Sequence, residues 1–368
     1  MIDAHPHLSG IASYTPGASP EEIRRTYGLS HVEKLASNEN PFGPSPKGRD
    51  AAIAALASAN IYNDGGIALR QALAQFHNVR PESITVHNGS DAIIHQVLRT
   101  FLLPGESAVS SMGTFVSFSI ATRSVGSEPR LVPLTSDYRY DVEALVGAID
   151  TTTKIVYIAN PNNPTGTMLT RDEVTFVVDS VPQIVLIVLD EAYVEYARHI
   201  RPHDYVDGTT IVAPNVLTLR TFSKAYGLAA LRVGYAVGHP DVVRWLLKTK
   251  LPFDPNGPAC AAAIAALGDD DFVDRTVRTN AEGLRIITDA LDDAGYRYAQ
   301  SAANFVMIDC GTQQRATSLN EELLHRGFIA RPLLGFGLPH CLRISTGLDD
   351  QNRRLAQILH ELAPAHVG

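Results

Sequence analysis

Ser223, Lys224 and Arg232 bring a hydroxyl, an amine and a guanidinium together in the stretch Thr221-Phe222-Ser223-Lys224-Ala225-Tyr226-Gly227-Leu228-Ala229-Ala230-Leu231-Arg232. The stretch follows the apolar run Val216 to Leu219 and leads into another, Val233 to Val237. One reading of Lys224 is a solubilising charge in a polar loop. The other is chemical: an amine can condense with an aldehyde as a Schiff base, while a hydroxyl and a fixed positive charge hold a phosphate. A ligand that is both an aldehyde and a phosphate ester fits the trio, and pyridoxal 5'-phosphate (PLP) is such a ligand.

Other strand-like runs end in residues that suit the same ligand, and open parallel sheets bind ligands beyond the carboxyl ends of their strands. Ile84 to His87 runs into Asn88-Gly89-Ser90-Asp91. There, free N–H groups at a helix start can seat a phosphate or simply cap the helix. Lys154 to Ala159 runs into Asn160-Pro161-Asn162-Asn163-Pro164-Thr165-Gly166. One of its amides can donate to a phenolate oxygen. Ile184 to Leu189 ends in Asp190-Glu191-Ala192-Tyr193. An aspartate there is partly desolvated and needs a cation or hydrogen bonds. A protonated pyridine nitrogen satisfies it, and so would a helix cap or a protein salt bridge.

These residues need a scaffold to position them. The 368 residues are 45% apolar and 19% charged, which predicts a globular chain of about two domains. From about residue 84, apolar runs alternate with helical patterns, the signature of a parallel sheet covered on both faces. Candidate strands are Ile84 to His87, Ala108 to Ser111, Lys154 to Ala159, Ile184 to Leu189, Val216 to Arg220 and Arg232 to Val237. After about residue 240 a helical stretch leads to a smaller α+β segment, with strands at Phe305 to Cys310, Phe328 to Arg331 and Cys341 to Ser345. Helices are expected over Ala51 to Ala59, Ala68 to Phe76 and Asp350 to Leu362, with Ser19-Pro20-Glu21-Glu22 starting another. The domain reading is an N-terminal arm (1–30), a large ligand-binding domain (31–265) and a small C-terminal domain (266–368).

The net charge of −8 gives no general attraction to nucleic acid or an anionic membrane. An anionic substrate must therefore be caught by a few placed arginines. Cys260, Cys310 and Cys341 are far apart and make no Cys-x-x-Cys pair, which argues for a reducing compartment without zinc or disulfides. No signal peptide pattern opens the sequence and no apolar run is long enough to span a bilayer. Cytoplasm is the expected location. Gly43 to Asp50 is no phosphate loop, because Arg49-Asp50 stands where Lys-Ser/Thr is required.

Taken together, these blocks resemble the fold-type I PLP enzymes, and among them the class II aminotransferases of the histidinol-phosphate aminotransferase family. The resemblance lies in Tyr14-Thr15-Pro16-Gly17, Lys34 to Pro46, Tyr62 to Arg70, Asn160 to Gly166, Leu189 to Tyr193, Thr221 to Arg232 and Arg331 to Gly347. It implies an α/β fold in which a large domain, with a mostly parallel central sheet between helices, is joined to a smaller α+β domain. It implies that Lys224 binds the PLP aldehyde and that Asp190 pairs with the pyridine nitrogen. Asn163 and Tyr193 then hold the ring oxygen. Ser90, Asp91 (through its backbone N–H), Ser223 and Arg232 hold the phosphate, and Phe115 stacks on the ring. Tyr62 reaches the phosphate of the partner subunit, which implies a homodimer. Arg343 binds the substrate anion, with Arg331, Tyr14 and Asn40 as further substrate contacts. Where the family usually has glutamate, this chain has Ala92, and the Pro252 to Pro258 block is unusually proline-rich; both bear on substrate choice.

The activity so implied is ping-pong transamination between L-histidinol phosphate and 2-oxoglutarate. An aromatic amino-acid aminotransferase and a PLP-dependent decarboxylase of a phosphorylated amino acid are alternatives on the same scaffold. A catalytically idle regulator of this fold would carry a basic DNA-binding extension, and none is seen. The intact lysine, aspartate and arginine set also argues against it.

Overall fold

Continuous apolar strands need cover on both faces, and register shows how they obtain it. The computed structural model describes residues 3–11 and 18–363. Its strands are β1 (Glu33–Lys34), β2 (Ile84–His87), β3 (Ser107–Ser111), β4 (Pro129–Val132), β5 (Thr153–Ala159), β6 (Leu186–Asp190), β7 (Val216–Thr221) and β8 (Gly234–Gly238). They continue with β9 (Arg297–Ala299), β10 (Phe305–Asp309), β11 (Phe328–Ile329), β12 (Arg331–Pro332) and β13 (Cys341–Ser345).

The central sheet has seven strands in the order β2-β8-β7-β6-β5-β3-β4. All neighbours are parallel except β8, which runs antiparallel to both β2 and β7. Ile155, Tyr157, Ala159, Leu186 and Val188 pack with Ile93, Ile94, Val97 and Leu98 of the helix Ser90–Phe101. Val156, Ile158, Ile187 and Leu189 pack the other way, onto Val174 and Val177 of the helix Arg171–Ser180. Alternate residues thus face opposite layers, as the pleat requires. Each such side chain contributes about 1.5–3 kcal/mol of burial.

The small sheet is antiparallel throughout, in the order β12-β13-β10-β9. Leu342 and Ile344 of β13 pack with Leu284, Ile287, Leu323 and Leu355 of three covering helices, Asp270–Asp293, Gln313–His325 and Asp349–Glu361. The alternate residues Arg343 and Ser345 face the other way. Residues 33–38 lie beside this sheet: β1 pairs with β11 in a separate two-stranded ladder, and the Ser345 N–H donates to the Leu35 carbonyl at 2.8 Å. Among the described residues no helix is long and apolar enough to cross a membrane.

Several boundaries differ from expectation for identifiable reasons. Ile184 is 87% exposed and precedes β6, which starts at Leu186 and reaches Asp190 itself. The run Phe328 to Arg331 divides, because β11 pairs with β1 while β12 pairs with β13. The edge strand β4, beginning Pro-Arg, and the short β9 gave no apolar pattern to read. β8 runs antiparallel to β7 because residues 222–233, which join them, form a turn with one short helical segment (Ala229–Leu231) and no crossover α-helix. The helix expected at Ala51 starts earlier, at Pro46, where Ser45 caps it by accepting from the Gly48 N–H.

Candidate active site

Lys224 reaches its place through a short turn that must touch a second loop. β7 ends at Thr221, whose hydroxyl lies 2.9 Å from Ser223 Oγ and 3.2 Å from the Ser223 nitrogen. Asn40 Nδ2 donates to the Ala225 carbonyl at 2.8 Å, and the Ser45 N–H to Tyr226 O at 3.0 Å. Gly227, at φ +68°, lies so close to this partner loop that a Cβ would meet Gly43 O at 2.1 Å. No side chain fits there. The clamp leaves Lys224 half-buried on the wall of a cavity of about 250 Å³.

That cavity lies beyond the carboxyl ends of β5, β6 and β7 and gathers most of the residues expected in the site. Ser90, Asp91, Phe115, Asn163, Asp190, Tyr193, Ser223, Lys224 and Arg232 all line it. Ser90 begins a twelve-residue helix whose N-cap is Gly89, so its N-terminus points free N–H groups at the cavity. Gly89 has φ +88°, and a Cβ there would stand 2.8 Å from Arg232 Nη2. The guanidinium and the helix start therefore share one small anion-binding corner.

Asp190 lines the same cavity. Its Oδ2 accepts from Tyr157 Oη at 2.8 Å, the nearby Ala192 backbone N–H also favours its charged form, and its buried Oδ1 has no partner at hydrogen-bond geometry among the described residues. Burial pushes its carboxyl up to about 6, against the Tyr157 hydrogen bond, which pulls it down. Burial likewise lowers the Lys224 amine to about 8, with Arg343 adding to the effect and Glu39 opposing it. Lys224 Nζ is 3.3 Å from the Ser37 carbonyl and 5.7 Å from the Tyr193 ring centre.

The remaining expected residues fall around this core. Arg343 is buried behind the cavity, its Nη1 bound to Asn163 Oδ1 and its Nη2 donating to Ala36 O at 2.8 Å. Arg331 is its direct cross-strand neighbour and lines an adjoining groove with Phe336 and Met112. Asn40 is buried, also bonding Thr276 Oγ1 at 3.1 Å, and does not line the cavity. Tyr62 is 79% exposed and stacks on Phe253 at 4.3 Å, in a second cleft that also includes Asn88, Arg232 and Pro252 to Asp254. Tyr14 lies outside the described residues. Asn38 was not foreseen: a single polar residue in a loop carries no periodic signal, yet its side chain holds Tyr193 Oη at 2.8 Å.

Among the described residues, one group could hold a metal, Asp309, His340 and Cys341 on the small sheet. Its members are already engaged. Tyr138 Oη lies 3.1 Å from His340 Nε2, Gly311 N–H donates to Asp309, and burial pushes the Cys341 thiol up to about 12.

A lysine-bearing cavity at the carboxyl ends of a mostly parallel seven-stranded sheet, with a small α+β unit beside it, is the architecture of fold-type I transferases. A model of the aminotransferase class I and II family matches residues 30–359, and the chain belongs to that family. It is 44% identical to histidinol-phosphate aminotransferase 1 of Thiobacillus denitrificans, over 99% of this chain and 94% of the relative. It is 42% identical to histidinol-phosphate aminotransferase 2 of Pseudomonas fluorescens, over 97% and 96%. The crystal structure of the Sinorhizobium meliloti histidinol-phosphate aminotransferase in complex with pyridoxal-5'-phosphate superposes with a TM-score of 0.87 at 33% identity, covering 97% of this chain and 96% of that one. The aspartate aminotransferase of Thermus thermophilus with maleate, at 22% identity and TM-score 0.85 over 98% and 100%, shares the fold.

Proposed function

We propose that this chain binds PLP in the Lys224 cavity and exchanges the amino group of L-histidinol phosphate for the oxo group of 2-oxoglutarate. The observation that carries the reading is that one cavity is lined by both Lys224 and Asp190, whose buried Oδ1 has no hydrogen-bond partner among the described residues. A desolvated carboxylate oxygen left open costs stability unless a bound cation completes it, and a protonated pyridine nitrogen is such a partner. Ser90, the Asp91 backbone N–H, Ser223 and Arg232 would hold the phosphate. Asn163 and Tyr193 would hold the ring oxygen, and Phe115 would cover one ring face.

When bound, the cofactor supplies an aldehyde carbon for the amino group and a ring that draws electrons from the substrate Cα. The chain's own work is positional and protonic. Lys224 anchors the cofactor and then moves a proton at the substrate Cα; an amine lowered to about 8 suits a base near neutral pH. Asp190 keeps its charge beside the ring nitrogen. Arg343 and Arg331 receive the substrate phosphate in one half-reaction and a carboxylate in the other, since a guanidinium fork fits both anions. Asn40 acts from behind, fixing the loop that carries Lys224, and Tyr14 would bring the arm to the substrate.

The site is read as shared between two copies. Tyr62, Ile61, Ile53, Leu56 and Phe253 are apolar and exposed, and exposed apolar clusters mark association surfaces. Arg232 lines both the cavity and the Tyr62 cleft, so Tyr62 of the partner subunit would meet the phosphate there. We further read the chain as a large unit (31–265) and a small one (266–368), with residues 33–38 packed on the small sheet, in a cytoplasmic enzyme whose three cysteines stay reduced and buried.

The test is a half-reaction spectrum of the purified PLP-loaded protein against histidinol phosphate, phenylalanine and threonine phosphate. Loss of the visible cofactor band with histidinol phosphate at the lowest concentration is expected. A response to phenylalanine alone would replace the substrate assignment, and failure to acquire a visible band with PLP would refute the whole reading.

A further inference from the structure

The direction of one buried hydrogen-bond chain sets what Tyr193 can do. Asn38 is 1% exposed and held at φ 56°, a backbone region asparagine tolerates. Its backbone N–H donates to Ser345 Oγ at 2.9 Å. That occupies an acceptor site of the hydroxyl, so the hydroxyl's single hydrogen goes to its other neighbour, Asn38 Oδ1, at 2.9 Å. With Oδ1 so identified, the amide nitrogen must face Tyr193 Oη, 2.8 Å away. The opposite amide orientation would aim two donors at Ser345 and leave its hydrogen without an acceptor.

An amide nitrogen can only donate. Tyr193 Oη is therefore the acceptor in this contact, and its own hydrogen must go elsewhere. No nitrogen or oxygen of the described residues accepts it, and Tyr193 lines the Lys224 cavity. The ring cannot swing away, being packed edge-on to Phe305 at 5.3 Å and against Ala225 and Ala303. Asn304 Nδ2 donates to Asn38 O at 3.1 Å, pinning the backbone that starts the chain of bonds.

We infer that Asn38, oriented by Ser345, is a positioning residue that turns Tyr193 into an obligate hydrogen-bond donor into the cavity, aimed at an anionic oxygen of the bound ligand. The inference rests on the reading of that ligand as PLP, whose ring oxygen is the anion concerned. A hydroxyl that already accepts a bond donates more strongly, so the pair stabilises the deprotonated ring oxygen and lowers the pH at which the bound cofactor loses its proton. Ser345 is also two residues from Arg343 on β13. The strand that would grip the substrate anion thereby sets the polarity of the tyrosine at the cofactor.

The experiment is a pH titration of the visible spectrum of the PLP-loaded protein in four forms: wild type, Asn38→Ala, Tyr193→Phe and the double variant. Asn38→Ala is expected to raise the midpoint by about one pH unit, a tenfold change in proton affinity. In the Tyr193→Phe background the same substitution is expected to add nothing, because its effect passes through the hydroxyl. A merely structural role would lower thermal stability and leave the midpoint where it was. An unmoved midpoint, or an equal shift with and without the Tyr193 hydroxyl, overturns the inference. Should Asn38→Ala not fold, Ser345→Ala, which frees the amide to turn, is expected to shift the midpoint in the same direction by a smaller amount, and no shift there overturns it equally. A wild type with no pH-dependent visible band defeats the PLP reading and this inference with it; a normal wild-type band that Asn38→Ala leaves untouched defeats only the inference.

Discussion

Asp190 and Glu191 are neighbours at the end of one strand, both carboxylates and both buried, yet they are finished in opposite ways. Glu191 Oε2 takes Arg220 Nε at 3.0 Å and Nη2 at 2.7 Å, and its Oε1 takes the Gly208 N–H at 2.7 Å. Arg220 also bonds Asp207, on the same side of the sheet. Asp190, turned to the other face by the pleat, has the Tyr157 hydroxyl and an oxygen left open. A carboxylate whose bonds close within the protein serves the fold. One held dry with an oxygen left open is what the proposed contact with the cofactor's ring nitrogen would require.

The sharpest way to break this contrast is at the amine that shares a cavity with the open acid. Lys224→Ala is expected to remove the visible band of the PLP-loaded protein and to cut turnover by about 10²–10⁴-fold or more, the range of a lost positioned acid–base group. A normal spectrum in that variant would refute the role. Next comes the pair itself. Glu191→Gln leaves Arg220 partly uncompensated and should cost about 3–5 kcal/mol of stability, read by denaturant unfolding. Asp190→Asn should leave stability level or improved while lowering turnover by at least about tenfold. If the two substitutions exchanged these effects, the distinction between a structural and a functional acid would fail.

Arg343→Gln should weaken kcat/KM for the anionic substrate by about 10–100-fold, the equivalent of a charge-assisted bond of roughly 1.5–3 kcal/mol, with less effect on the cofactor spectrum. The smallest effect concerns pH. Folding raises the Asp190 carboxyl from 3.8 to about 6, so between those values the native protein binds more protons than the unfolded chain. Stability of the cofactor-free protein should therefore fall as pH rises from about 4 to about 6. In Asp190→Asn that part of the slope should vanish from melting temperatures measured across the same range.

Much of the site could be read from the chain because its residues sit at strand ends, and strand ends are announced by apolar runs. Asp190 after Ile184 to Leu189, Asn163 after Lys154 to Ala159 and Lys224 after Val216 to Leu219 all follow this rule, and the cavity joins them. Strand β13 was legible to the residue, since Cys341 to Ser345 is bounded by turns. What escaped notice was long-range or unpatterned. The antiparallel course of β8 depends on how residues 222–233 fold back, and β4 opens with proline and arginine. Asn38 makes its bonds to residues 155 and 307 positions away, where no local pattern points. Tyr62 was legible as a residue type in a motif, and in the single chain it lies on the surface, as the proposed contact with another copy requires.

The short ladder between β1 and β11 has a consequence for assembly during synthesis. Ribosomes deliver residues 33–38 long before residues 328–345, and domains generally fold as they emerge, N-terminal parts first. Here the early segment cannot complete its pairing until residues 328–345 appear. A nascent chain stalled after the large sheet is complete would own every strand end of the cavity and still lack the partners of the segment that brings Ser37 and Glu39 to its wall.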